Sequence, residues 1–305
     1  MTEGASTSAG VPIAEREPVW VHLSHVGIEL GGEVPTGRPA GAIQAFVGAV
    51  RLTWKLRKAL WVLVLKDFKA RYRAHALGLF WSLAHPLVMM VTMTIAFQYV
   101  LQVRIANFAV FFLIGTVYWQ FFATALISGT GALTDNGGLV KTTTFPRFLF
   151  PVAGILSQLI HFAMESVLIL AFYFFFPSAY VLNITLVALP LLVLLVLMML
   201  VGAVFITSAL HARYRDLHYI ISSVLTVGFW FTPILYSTSM APERLRPLLR
   251  LNPMGGIIES AREIIMGGRW PTMELLLPAV VAAIVLFCSG CAVFRRENVN
   301  VADYV

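Results

Sequence analysis

Hydrophobic residues along this chain gather into long unbroken runs, and polar positions are confined to the gaps between them. A bilayer core roughly 30 Å thick needs about 20 apolar residues per helix. Runs of that length occupy 77–103, 108–133, 148–176, 182–210, 219–240 and 273–294, and each predicts a helix that crosses a membrane. Segment 241–270 has a different pattern. Its apolar positions recur at helical spacing between five arginines and Glu243, Glu259 and Glu263, which predicts a re-entrant outer helical hairpin before the last span. The irregular backbone expected at NPMGG is tolerated there only if it is buried in protein or lines a cavity.

Ahead of the first span, residues 42–73 set Phe46, Val50, Trp54, Leu60, Trp61, Val64, Leu65 and Phe68 among lysines and arginines. A basic helix with tryptophan on its apolar side lies in the headgroup plane, so an N-terminal amphipathic interface helix is predicted. Residues 1–41 are rich in Gly, Pro, Ser and Thr and predict an extended tail, with VWVHLSHVGIEL as a candidate small hairpin. They hold no continuous apolar core of the kind a cleavable signal needs. Residues 295–305 are expected to form a short tail. The fold class is therefore an all-α integral membrane protein with six transmembrane helices.

Composition supports the membrane reading, and charge orients it. The chain is 59% hydrophobic and 12% charged, against roughly 25% charged for a soluble domain. Lys and Arg crowd the cytoplasmic flanks of membrane helices. Here they precede the first span (Lys66, Lys69, Arg71 and Arg73 among them), fill the second-to-third loop (Lys141, Arg147) and the fourth-to-fifth (Arg213, Arg215), and follow the last span (Arg295, Arg296). Both termini are thus expected in the cytoplasm. The formal charge of +7 sits at membrane boundaries, where anionic headgroups attract it, so nucleic acid is not an expected partner. No metal site is expected: Cys288 and Cys291 form a C-x-x-C within an apolar helix, where two small packing residues are the plainer explanation.

Two positions inside the spans are chemically unusual. Pro86, beside His85, removes a backbone bond and bends a helix. His161 and Glu165 lie one turn apart on one face, and an ionisable group in mid-membrane costs about 3 kcal/mol. A structural pair is the expected role, with a gate or a proton relay as alternatives.

Four stretches, in order, resemble a known family: KDFKARYRAHALGLFWSLAHPL (66–87), FPRFLFPVAGILSQLI (145–160), RYRDLHYIISSVLTVGFWFTPILY (213–236) and LNPMGGIIESAREIIMGG (251–268). They are similar to the permease subunits of type-2 ABC exporters, in the branch that moves lipid-linked polysaccharides such as O-antigens, teichoic acids and galactan. The resemblance covers about residues 45–300. It implies a homodimer in the bacterial inner membrane, working with two copies of a separate ABC ATPase that binds ATP and Mg. This chain would itself be non-catalytic and free of cofactors. The sequence agrees in containing no G-x-x-x-x-G-K-[ST] phosphate loop.

The same resemblance assigns roles to residues. The interface helix and the loop at 135–146 would contact the ATPase, through Lys66, Lys69, Arg71, Asp135, Asn136 and Lys141, with Asp135 or Asn136 capping a short helix. A sugar chain needs aromatic platforms without a deep site that would halt its movement. The first, second and fifth spans would supply these as Tyr99, Trp119, Phe122, Trp230 and Tyr236. Asn252, Pro253 and Arg262 would belong to an outer gate, Arg262 meeting either a substrate phosphate or Glu259. The alternative cargo for the same fold is drugs or lipids. A membrane enzyme is disfavoured, because it should present paired carboxylates or a metal cluster at a membrane face, whereas Glu165 is the one acid in the middle of a span.

Overall fold

The computed structural model describes residues 51–72, 80–103, 105–142 and 146–297. The expected tail 1–41, the first part of the interface helix, Arg73, the start of the first span, Arg104 and the last eight residues lie outside them. Among the described residues there are helices and turns but no strand. The helices are α1 (Arg57–Tyr72), α2 (Phe80–Thr94), α3 (Phe108–Asp135), α4 (Gly137–Thr142), α5 (Leu149–Ala171), α6 (Leu189–Arg213), α7 (Leu217–Phe231), α8 (Arg246–Arg250), α9 (Pro253–Ile265) and α10 (Met273–Glu297).

Five stretches are long and apolar enough to cross a membrane: Leu83–Val100, Phe108–Asp135, Leu149–Phe174, Ile184–Arg213 and Met273–Glu297. The first continues α2 through a wider π-type turn, Ile95–Val100, closed by Leu101 N–H donating to the Ala96 carbonyl at 2.9 Å. Gln102 and Asn107, both at positive φ, then reverse the chain into α3. The segment expected to span 219–240 differs from the other five. Its helix, α7, has 15 residues, or about 22 Å at 1.5 Å per residue, and it stops at Phe231. Pro233 explains the stop, because a proline disfavours helical backbone in the residue before it, and Thr232 is indeed extended.

Helix α3, 28 residues long, is the centre of the bundle. Phe108, Phe112, Leu113, Ile114 and Val117 on it are fully buried, and α2, α5, α6, α7 and α9 all pack on it. Without a hydrophobic drive between helices in lipid, close approach relies on small residues. That is how α6 meets α10. A methyl added at Gly202 would overlap the backbone of Leu286, and one added at Gly290 would overlap Gly202. The Thr130 and Thr207 hydroxyls add a 2.7 Å hydrogen bond between α3 and α6.

The two ends of the bundle are distinct. At one, Leu60 and Val64 of α1 pack with Leu133, Leu149, Ala212 and Phe294, so the ends of α3, α6 and α10 and the start of α5 gather on the surface helix. At the other, α9 docks against the start of α3 and against the α5–α6 connection, where Val181 N–H donates to the Ile265 carbonyl at 2.9 Å and Asn183 Nδ2 to the Gly268 carbonyl at 2.9 Å.

Candidate functional site

Three groups of predicted site residues occupy separate regions, the first on the surface helix. Helix α1 buries Leu60, Leu63 and Val64, while Lys58, Trp61 and Lys69 are exposed, as is Trp54 just ahead of it. Tryptophan and lysine thus share the outward side, and the buried side packs on α5. Lys66 pairs with Asp67 at 3.1 Å and donates to Asn136 Oδ1. Asn136, one of the two residues expected to cap the short helix α4, sits between α3 and α4 and closes α3 through Nδ2, which donates to the Ala132 carbonyl at 2.7 Å. Asp135 and Lys141 are exposed on either side of this junction.

The far end of α1 reaches α5. The Phe68 ring lies 5.2 Å from the His161 imidazole, and Arg71 is within electrostatic reach of both His161 and Glu165. The sequence singled out His161 and Glu165 as a pair. It did not indicate the third member, Arg71, which comes from a separate helix.

The expected conduit residues divide by exposure. Tyr99, on the π-type turn, is 75% exposed, and Trp230 on α7 is 62% exposed. Trp119 is 7% exposed, held edge-on against Phe229 with ring centroids 6.3 Å apart and resting on Gly228. Phe122 is half-buried beside it at 6.1 Å. The Tyr236 hydroxyl donates to the Trp230 carbonyl at 3.1 Å, fixing the chain where α7 ends. Sequence reasoning missed the rest of that face. Tyr219, Ser223, Thr226 and Trp230 share one stripe of α7 at i, i+4, i+7 and i+11, and all are exposed. The Ser223 and Thr226 hydroxyls donate to carbonyls one turn back, at 2.9 Å each. A beside-stripe of Ile220, Val224, Val227 and Phe231 is purely apolar and also exposed. The signal was present as a polar and aromatic periodicity inside an otherwise apolar run.

The gate residues meet at the opposite end. Asn252 caps α9 through Oδ1, which accepts from Met254 N at 3.0 Å and Gly255 N at 3.2 Å, with Pro253 in the first turn, where its missing N–H costs nothing. Its Nδ2 donates to Thr232 Oγ1 at 3.0 Å, tying α9 to the end of α7. Arg262 is buried and directs its donors to backbone. Nε reaches the Phe111 carbonyl at 3.1 Å, Nη1 the Pro233 carbonyl at 2.6 Å and Nη2 the Ile234 carbonyl at 2.8 Å. The guanidinium also covers the Phe111 ring at 3.4 Å. Burial pulls its pKa down to about 9, with Glu259 opposing the shift, and at neutral pH it stays a cation. The expected contact with Glu259 is electrostatic only, because the Glu259 carboxylate accepts from Thr238 N at 2.7 Å. Two of these acceptors, Pro233 and Ile234, lie past the end of α7, while the third belongs to the first turn of α3.

Comparison with known proteins places this architecture. A family model described as ABC-2 type transporter matches residues 58–266, from α1 through α9. The O-antigen export system permease protein RfbA of Myxococcus xanthus is 30% identical over 261 residues, which cover 84% of this chain and 98% of that protein. The O-antigen export system permease protein RfbA of Klebsiella pneumoniae is 29% identical over 242 residues, 79% of this chain and 93% of that one. The chain belongs to the ABC-2 type transporter family.

Proposed function

We propose that this chain is the membrane subunit of an ATP-driven exporter that carries a lipid-linked polysaccharide from the cytoplasm across the bacterial inner membrane. The observation that carries this reading is the near end-to-end match to an O-antigen export permease, 98% of whose length is covered. The geometry supports it. In this reading the chain works as a homodimer with two ATPase subunits, which hold the ATP and Mg, and this chain performs no chemistry of its own. Segment 217–236 is the remaining crossing, fifth in chain order. It leaves the α1 end after α6 and, past the 15 helical residues, continues through the turn at Pro233 and Ile234 to the α9 end. Both termini then face the cytoplasm, and lipids surround the outer helices.

The coupling surface is Lys66, Lys69, Arg71, Asp135, Asn136 and Lys141, on α1 and at the α3–α4 junction. ATPase closure would push on α1 and pass through Asn136 to α3, on which the other helices pack. Tyr99 and Trp230 line the conduit together with Tyr219, Ser223 and Thr226. Their rings offer flat apolar faces, and their hydroxyls weak, exchangeable hydrogen bonds. Trp119 and Phe122 brace that wall from behind, and Tyr236 holds its end. Asn252, Pro253 and Arg262 keep the outer gate closed by fastening α9 to the α7 end and α3.

The test is reconstitution in liposomes with the ATP-binding protein that co-purifies with the chain. ATP hydrolysis and export stimulated by lipid-linked polysaccharide are expected. Stimulation by amphiphilic drugs instead would move the cargo assignment to the alternative class, and failure to recover any ATPase would overturn the exporter reading.

A further inference from the structure

Between α7 and α9, the segment that carries α8 leaves an apolar side uncovered in a stretch too short to cross a membrane. Leu245 and Leu251 flank the five residues of α8 with helical backbone. Leu245, Leu248 and Leu251 therefore follow one another at three-residue spacing, and each is half exposed or more. The opposite side ties the segment to the protein. Leu249 is buried, and Arg246 donates through Nε to the Ala241 carbonyl at 2.9 Å and through Nη2 to the Ser239 carbonyl at 3.0 Å. These contacts fix which side faces outward, and it is the row of leucines.

An ion pair sets the depth of that row. Arg250 Nη1 lies 3.5 Å from Glu274 Oε2, and Glu274 is the second residue of the spanning helix α10. Just ahead of α10, Trp270 is exposed, a residue type that concentrates where a span meets the headgroups. Helix α8 is thus level with the point where α10 enters the bilayer. A short helix at that level, with leucines on one side and arginines beside them, has the character of an interfacial element. Arg244, next to Leu245, is exposed and makes no hydrogen bond or ion pair among the described residues, so its whole donor fork is available to a phosphate. Three partly exposed leucines fall well short of the about 800 Å² that each partner buries in a standard protein interface. That argues against a second chain as the cover, whereas a lipid surface sets no such minimum.

We infer that Leu245–Leu251 is a foot seated in the bilayer surface on the gate side, its leucines among the upper acyl-chain carbons and the Arg244 guanidinium on lipid phosphate. Asn252, the cap of α9, follows Leu251 directly, so the gate helix is joined to a piece of chain that lipid holds in place.

The test places a single bimane-labelled cysteine in the full chain, by Leu245→Cys or Leu248→Cys, with Lys141→Cys as a water-exposed control and with Cys288→Ala and Cys291→Ala to make the label unique. The chain is set in lipid nanodiscs, and quenching by lipids brominated in the upper half of the acyl chain is compared with quenching by aqueous iodide. Labels at 245 and 248 are expected to be quenched by the brominated lipid and shielded from iodide, the reverse of the label at 141. Arg244→Gln should remove about half of the lipid quenching at 248 and leave thermal melting unchanged. Melting also identifies a labelled variant that fails to fold, in which case the other position decides. Iodide reaching 245 and 248 as freely as 141 would place the segment in water and overturn the foot. Shielding from both quenchers would mean that protein covers the leucines, which overturns it equally, and unchanged quenching in Arg244→Gln would overturn the phosphate contact. The readout needs neither cargo nor ATP, so it stands or falls apart from the exporter reading.

Discussion

Lys66 on the surface helix donates to the side-chain oxygen of Asn136 at the end of α3, joining positions 70 residues apart. Asn136 in turn donates to the Ala132 carbonyl, so one side chain links the most superficial helix to the last turn of the most central one. Motion of α1 therefore has a direct route into the bundle.

Removing that link should uncouple the machine more than it destabilises it. A single hydrogen bond contributes about 1 kcal/mol net, so Asn136→Ala and Lys66→Ala should shift thermal melting only slightly. Export per ATP hydrolysed should fall several-fold in each. The double variant should lose little more than either single one, because the two substitutions break the same contact. Fully additive losses in reconstituted liposomes would mean that the contact carries no coupling.

Arg262 predicts the opposite balance. Arg262→Met leaves the Pro233 and Ile234 carbonyls without their donor and takes a second donor from the Phe111 carbonyl of α3, and each buried unsatisfied group costs about 1–3 kcal/mol. The variant should lose about 3 kcal/mol or more, read as a large drop in melting temperature in detergent. Arg262→Lys should fail almost as badly, since one ammonium cannot reproduce a planar fork aimed at three acceptors and stacked on a ring.

The α6–α10 crossing predicts a contrast between glycines. Gly202→Val or Gly290→Val must force the two backbones apart, because even a methyl overlaps the facing helix. Yield and melting temperature should collapse. Gly138→Ala meets nothing within 4 Å and lies in α4, where alanine is favoured over glycine by up to about 1 kcal/mol. It should be neutral or slightly stabilising in the same assay.

How far the pattern of residues foretells this structure depends on where polar breaks fall. Helix α3 begins at Phe108, as the run of apolar residues indicates, because Arg104 to Asn107 interrupt it. The end of α7 was not legible from hydropathy: Pro233 sits inside FTPILY, a stretch with no charge to mark the change. Arg262 was expected at a gate by resemblance, yet two of its partners are the Pro233 and Ile234 carbonyls, which become available only past the end of α7. Facing was the least legible property. A helix apolar on nearly all sides, as α3 is, carries no stripe to say which side is inward, so Trp119 is grouped with Trp230 in sequence although the two are not alike in the fold.

That difference gives the sharpest test of the conduit. Trp119 is packed between α3 and α7 against Phe229 and Gly228, and removing a buried large aromatic costs about 3–5 kcal/mol. Trp119→Ala should therefore lower the melting temperature, and its transport should fall in proportion to the folded protein lost. Trp230 is exposed in the subunit; its ring meets Phe229 edge-on at 5.6 Å, and its backbone carbonyl accepts from the Tyr236 hydroxyl. Trp230→Ala should melt close to wild type, yet slow polysaccharide export per folded complex several-fold, and Trp230→Phe should restore much of that rate by returning a flat apolar face. Ser223→Val and Thr226→Val, which keep helix and shape but remove hydroxyls from the same stripe, should slow export in the same way. If Trp230→Ala exports at the wild-type rate while Trp119→Ala loses only stability, the α7 stripe does not touch the polymer, and its exposed face must instead meet lipid or the second copy of the chain.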